Sequence, residues 1–191
     1  MSFLTRRTAE VALPFDPCSP EGLAARWVQW VAAAGLDESP IDDKTGEKAA
    51  ANQPTDVWFL AGAFGGQVQR RCVVPGGRDL FLPVFNLWWR AGKDQQPLAD
   101  RAYGSVAVDG VPMEPEVIST PVPFTVAGAR FNDITLRSKP VLVQTWGLWK
   151  LVPVPAPGQH EVHIVAGDGY GFTLDVRYEL LISMPGSRPW S

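Results

Sequence analysis

Residue types that do chemistry are thinly spread along this 191-residue chain, and their spacing excludes more than it offers. The two histidines, His160 and His163, are three apart. In a strand that separation puts them on opposite faces, so they can neither share a metal nor work as an acid/base pair. His160, beside Pro157-Gly158, reads as a turn residue, with general-base work as the alternative. Cys18 and Cys72 have no CxxC or Cys/His spacing, which predicts reduced thiols and neither a disulfide framework nor a zinc site. Cys72 follows Arg70 and Arg71, a setting that lowers a thiol pKa if the charges face it, but a strand cysteine more commonly packs as a small hydrophobe. Asp42, Asp43, Thr45 and Glu47 gather oxygens around Gly46 without the spacing of an EF-hand loop, and a solvated turn is the better reading. Gly104-Ser105 and Gly186-Ser187 lack the G-x-S-x-G frame of a nucleophile elbow. Gly167-Asp168-Gly169-Tyr170-Gly171 precedes a strand rather than a helix, so no helix N-terminus stands ready for a phosphate. Neither a metal nor a cofactor is expected.

Polar residues set inside apolar runs are better pointers. Asn86 ends Phe81-Leu82-Pro83-Val84-Phe85-Asn86, and Arg71 interrupts the run leading into Cys72. A buried amide or guanidinium needs partners, so each either ties the sheet to the polar segment around Gln53 or faces a ligand. Eight tryptophans, several of them clustered, leave room for an aromatic-lined cleft of the kind that holds sugars or hydrophobic small molecules. The candidate ligand-binding residues are therefore Gln53, Arg71, Asn86, Trp88, Trp89, Trp146, Trp149 and His160.

The elements that must position them are mostly strands. Hydrophobic residues make up 46% and charged ones 19%, and 18 Gly with 18 Pro are too many breaks for a helical bundle. One helix is expected over about residues 20–34: Ser19 as N-cap, Pro20 in the first turn, Glu21 at the positive end and Gly35 as the stop. Leu23, Trp27, Trp30, Val31 and Ala34 form its apolar face. Residues 56–89 hold three apolar bursts separated by glycine-bearing breaks, which predicts an antiparallel meander. Asp109-Gly110 marks a hairpin. Pro112, Pro115, Pro121 and Pro123 confine the following pieces to sheet edges or loops, with a short strand over 124–126. Further strands are expected over 141–145, 149–154, 161–165 and 172–183. In the last, Phe172, Leu174, Val176, Tyr178 and Leu180 face a core while Thr173, Asp175, Arg177 and Glu179 face water. The fold class is all-β: an antiparallel β-sandwich, jelly-roll-like, or a partly closed barrel with one N-terminal amphipathic helix. Residues 1–18 form an extended arm and 19–191 a single domain.

The stretches Val57-Trp58-Phe59-Leu60-Ala61-Gly62, Arg71-Cys72-Val73-Val74-Pro75-Gly76 and Phe81 to Asn86 resemble a family of bacterial proteins, many of them exported, to which no activity is assigned. Pro157-Gly158-Gln159-His160 and Asp175-Val176-Arg177-Tyr178 extend the likeness. The resemblance implies a cysteine just before Gln53 as disulfide partner for the position of Cys72, but Ala49-Ala50-Ala51 stands there. That departure fits a cytoplasmic member in a reducing compartment. Trp146 stands where the resemblance implies an acidic residue.

A formal charge of −3 gives no basic face for nucleic acid, and no apolar run reaches the length of a membrane span. The first expectation is a non-catalytic module that binds a small molecule or a protein partner. The alternatives are a small cyclase- or isomerase-type enzyme acting on a hydrophobic metabolite, and a structural subunit of a larger assembly.

Overall fold

The computed structural model describes residues 12–92 and 99–184, so the start of the expected arm and most of the polar excursion after Arg90 lie outside the described residues. Helix α1 (Pro20–Ala32) is followed by β1 (Val57–Phe59), β2 (Gly66–Val74), β3 (Asp79–Arg90), β4 (Tyr103–Val108) and β5 (Val111–Met113). Then come β6 (Glu116–Ser119), β7 (Phe124–Val126), β8 (Val141–Val152), β9 (Gly158–Gly167) and β10 (Thr173–Ile182). The all-β sandwich with one N-terminal helix is what forms. One sheet has the order β1-β3-β8-β6 with β7 also on β8, and the other runs β2-β10-β9-β4-β5.

The three bursts of 56–89 do not make a meander. β1 pairs with β3 in parallel, Val57 to Asp79 and Phe59 to Phe81, while β2 between them crosses to the second sheet and runs parallel to β10. The glycine breaks are crossings between sheets: Gly65, Gly66 and Gly77 all take positive φ, but none joins neighbouring strands. Patterning follows the layers. β2 alternates because one face of its sheet is wet, whereas β1 and β3 are apolar on both faces because their sheet is covered on both sides.

Two further expectations are corrected. Residues 141–152 form one continuous strand, not two, because Gly147 serves as a place of close approach rather than a break. A Cβ there would lie 2.5 Å from the Phe85 carbonyl oxygen and 2.7 Å from Trp149 Nε1. The helix stops at Ala32, before Gly35, whose neighbouring backbone is not left-handed. Its last turn is covered by a loop, with the Ala129 amide donating to the Ala32 carbonyl at 2.8 Å. At the other end Ser19 accepts the Gly22 amide, as its sequence position predicts.

The helix covers the outer face of the β3/β8 sheet, giving three layers and two cores. Between helix and sheet five aromatic side chains close a ring of contacts: Trp27 to Trp30, Trp30 to Phe59, Phe59 to Phe81, Phe81 to Trp149 and Trp149 back to Trp27. Centroid separations run from 5.3 to 6.2 Å. Such pairs contribute about 0.5–1.5 kcal/mol each beyond the area they bury. Trp27 and Trp30 also donate their indole N–H groups to the Leu60 and Ala51 carbonyls.

Between the sheets lies a buried cation. Arg70 is 1% exposed, and its guanidinium donates to the carbonyls of Asp43, Ala61, Gly62 and Ile41 and to the Tyr178 hydroxyl, all within 3.0 Å. The buried guanidinium expected at Arg71 belongs to Arg70 instead, because the alternation that buries Val68, Cys72 and Val74 includes residue 70 and turns residue 71 outward. The Arg71 side chain is 79% exposed and pairs with Glu179. Replacing Arg70 with Met takes the guanidinium donors from the Ile41, Asp43 and Gly62 carbonyls, so urea unfolding of Arg70→Met is expected to show a loss of about 3 kcal/mol or more. Arg71→Met should leave the midpoint unchanged in the same experiment; equal losses would refute the assignment.

Candidate functional site

β1 accompanies β3 only as far as Phe81, where the Leu60 amide reaches the Phe81 carbonyl. Beyond that point Pro83 has no N–H to offer, and the pairing with β8 shifts register between Pro83 and Phe85. Among the described residues no strand takes up the free edge of β3 past Phe81. The Ala91 amide bonds the Leu142 carbonyl on the β8 side, so by alternation the peptide groups of Asn86 and Trp88 fall on the free edge. The chain after β1 swings away through Gly62, Ala63 and Phe64 and leaves a cavity of about 570 Å³ against this edge.

Each wall has a cause. Trp27 comes from the helix and Ile41 from the loop after it; Phe85, Asn86, Leu87 and Trp88 come from β3; Asp168, Tyr170, Phe172 and Leu174 come from the β9–β10 turn and the strand after it. The Arg70 guanidinium fixes two of the walls, since it holds the Ile41 carbonyl on one side and the Ala61 and Gly62 carbonyls on the other. Tyr178 completes the clamp by accepting the Ala61 amide at 3.1 Å and donating to the Ala61 carbonyl at 2.9 Å. At the rim, Asp168 Oδ1 accepts the Tyr170 and Phe172 amides at 2.7 and 3.0 Å, which shapes the turn. Asp100 accepts the Tyr170 hydroxyl, and the Arg101 guanidinium lies over its ring.

The lining is mainly aromatic and aliphatic, with two side chains able to orient a guest. Asn86 is half-buried, and its Nδ2 is buried without a hydrogen-bond partner. An orphan buried donor costs about 1–3 kcal/mol. Asp168 is the one ionisable acid in the lining.

The other sequence candidates are dispersed. Trp149 is wholly buried in the aromatic ring between helix and sheet, and Trp146 packs against the core between the sheets. Trp89 is half-buried near the end of β3, outside the cavity lining. Gln53 covers the outer edge of β1: its Oε1 accepts the Phe59 amide and its Nε2 donates to the Phe59 and Ala49 carbonyls. Arg71 and His160 meet in a separate polar depression on the second sheet, together with Asp109, Glu161 and Glu179. Its ionisable groups already hold one another, Arg71 with Glu179 and His160 with Asp109. His163 bonds Asp175 at 2.8 Å.

The acidic loop is likewise spent on itself. Burial opposes ionisation of Asp43, but the amides of Thr45, Lys48 and Gly46, each 2.9 Å from its carboxylate, hold its pKa below the ordinary value. Gly46, at φ +94°, allows the loop to lie against β2, where a Cβ would come within 2.3 Å of the Arg71 carbonyl oxygen. Sequence reasoning missed Phe64, Asp168 and Tyr170, which sit in the glycine-bearing turns it assigned to chain reversal, and Phe172, which it placed in the last strand facing the core. Comparison with family models, curated proteins and solved structures finds no match for this chain.

Two outcomes follow from the titratable groups. Burial pushes the Cys72 thiol up to about 12, whereas Cys18 is exposed. A thiol reagent at neutral pH is therefore expected to modify one cysteine in the native protein and two in urea; two in the native state would contradict the packing. The Asp109 carboxylate raises the His160 pKa above its ordinary 6.5, and the Glu161 amide with His160 lowers that of Asp109 below 3.8. The His160 contribution is complete below pH 6.5 and fades as pH rises through the raised value; that of Asp109 is complete above pH 3.8 and fades below it. Thermal melts should show stability declining above pH 6.5, and His160→Gln should flatten that decline.

Proposed function

We propose that this protein is a small-molecule binding module whose ligand occupies the cavity along the free edge of β3. The observation that carries the reading is the pairing of an aromatic-walled space with an orphan donor at its side: Asn86 lacks a partner that a ligand acceptor would supply. A volume near 570 Å³ suits a compact aromatic or polycyclic molecule. Preformed walls favour binding, since the ordering of the loop at Gly62 is met by Arg70 and Tyr178 before any ligand arrives. The two histidines, natural proton carriers, are engaged elsewhere with Asp109 and Asp175, which favours binding over acid/base turnover. Two free cysteines are in keeping with work in a reducing, cytoplasmic compartment.

Gly62 supplies the test. Gly62 lines the cavity and a Cβ there meets nothing within 4 Å, so a larger side chain at this wall finds open space instead of displacing core atoms. In fluorescence titrations with an apolar probe such as 1-N-phenylnaphthylamine, Gly62→Leu is expected to bind at least about tenfold more weakly than wild type while melting at the same temperature. Undiminished probe binding by Gly62→Leu would place the binding elsewhere and sink the reading. Trp88→Ala, which removes part of one wall, should weaken the probe as well, by roughly 1–3 kcal/mol.

A further inference from the structure

The cavity discriminates by charge as well as by shape. Among the described residues its lining contains no Lys, Arg or His, and its one ionisable acid is Asp168. That carboxylate spends Oδ1 on two backbone amides, and no cation among the described residues forms an ion pair with it. A carboxylate at the mouth of a low-dielectric space attracts a cation and repels an anion more strongly than it would in water. Phe85, Trp88 and Phe172 add ring faces and edges to the same space, and ring faces carry the negative part of the aromatic quadrupole. Phe85 and Phe172 already pack edge to face, their centroids 6.1 Å apart.

Taking the binding reading above as its premise, we infer that the preferred ligand is a hydrophobic cation: an apolar or aromatic body bearing one amine or quaternary ammonium. The body fills the space between Trp88 and Phe172, and the cationic nitrogen lies at the mouth, within reach of Asp168. The Asn86 amide meets whatever acceptor the body carries. An anion of the same body meets a carboxylate, and the guanidinium nearest the mouth, Arg101, already lies over the Tyr170 ring.

Three probes with one aromatic body test this: 1-naphthylmethylamine, 1-naphthalenemethanol and 1-naphthoic acid, titrated calorimetrically at pH 7 into wild type and Asp168→Asn. The substitution removes the charge while keeping a side-chain oxygen to accept the Tyr170 and Phe172 amides, and an unchanged melting temperature checks that the turn survives. In wild type the amine should bind about tenfold more tightly than the alcohol, and the acid most weakly of the three. In Asp168→Asn the amine should fall to the level of the alcohol, whose own affinity stays the same. If amine and alcohol bind alike in wild type, or Asp168→Asn weakens both equally, the charge selection is refuted while the cavity remains a binding site. If none of the three binds, the cavity reading and the charge selection fall together.

Discussion

A guanidinium buried among carbonyl oxygens sets the geometry on which the rest depends. Arg70 reaches out of β2 and takes hold of the chain at Ile41, Asp43, Ala61 and Gly62 and at the Tyr178 hydroxyl, with its charge centre 5.4 Å from the Tyr178 ring centroid. A charge withdrawn from water is tolerated only when its donors are met, and here the partners are dipoles from three separate segments. Two of those segments lack strand neighbours to hold them, whereas the third, β10, is paired on both sides. The loop 39–46 has only turns, and the stretch 60–65 is a crossing between sheets. One side chain thus fixes the relative position of the loop, the crossing and the final strand.

The layered arrangement has a further consequence for the edge of β3. Because the sheet containing β1, β3 and β8 is covered by the helix on one side and the second sheet on the other, an opening along its edge leads in between the layers. An exposed sheet edge ordinarily invites pairing with another chain, and proteins cover it. Here Gln53 covers the edge of β1 with an amide that imitates a neighbouring strand, whereas the edge of β3 is shielded only by the loop at Gly62–Phe64, which stands off it. Pro83, with no N–H, and the register shift beside it make that edge unsuitable for continuous pairing.

How much of this is legible in the chain depends on the range of the interaction involved. The helix start is local: Ser19, Pro20 and the Leu23/Trp27/Trp30 stripe state it outright. Residue 70 was legible too. The alternation Val68, Arg70, Cys72, Val74 places Arg70 on the buried face, whereas Arg71 stands out only by contrast with its apolar neighbour Cys72. Strand partners were not legible, since the same glycine-bearing breaks serve a hairpin or a crossing, and only the packing of two sheets decides between them. The cavity is assembled from five separate segments. Asn86 and Trp88 could be singled out as polar or aromatic residues out of place, while Phe64 and Tyr170 look like ordinary turn residues until the fold brings them to one mouth.

The orphan donors show why the cavity, rather than the cores, is where the fold leaves something unfinished. Among the described residues three buried side-chain N–H groups lack partners: Trp58 Nε1, Trp149 Nε1 and Asn86 Nδ2. The two indoles sit in the cores, where packing gains more from burying the rings than the unmet N–H groups cost. Asn86 differs because its side chain stands at the wall of a space large enough for a guest. Leucine would fill the same position without an unmet hydrogen bond, and Leu87 next to it shows that the strand accepts one. An amide at residue 86 therefore carries a cost that a leucine there would not.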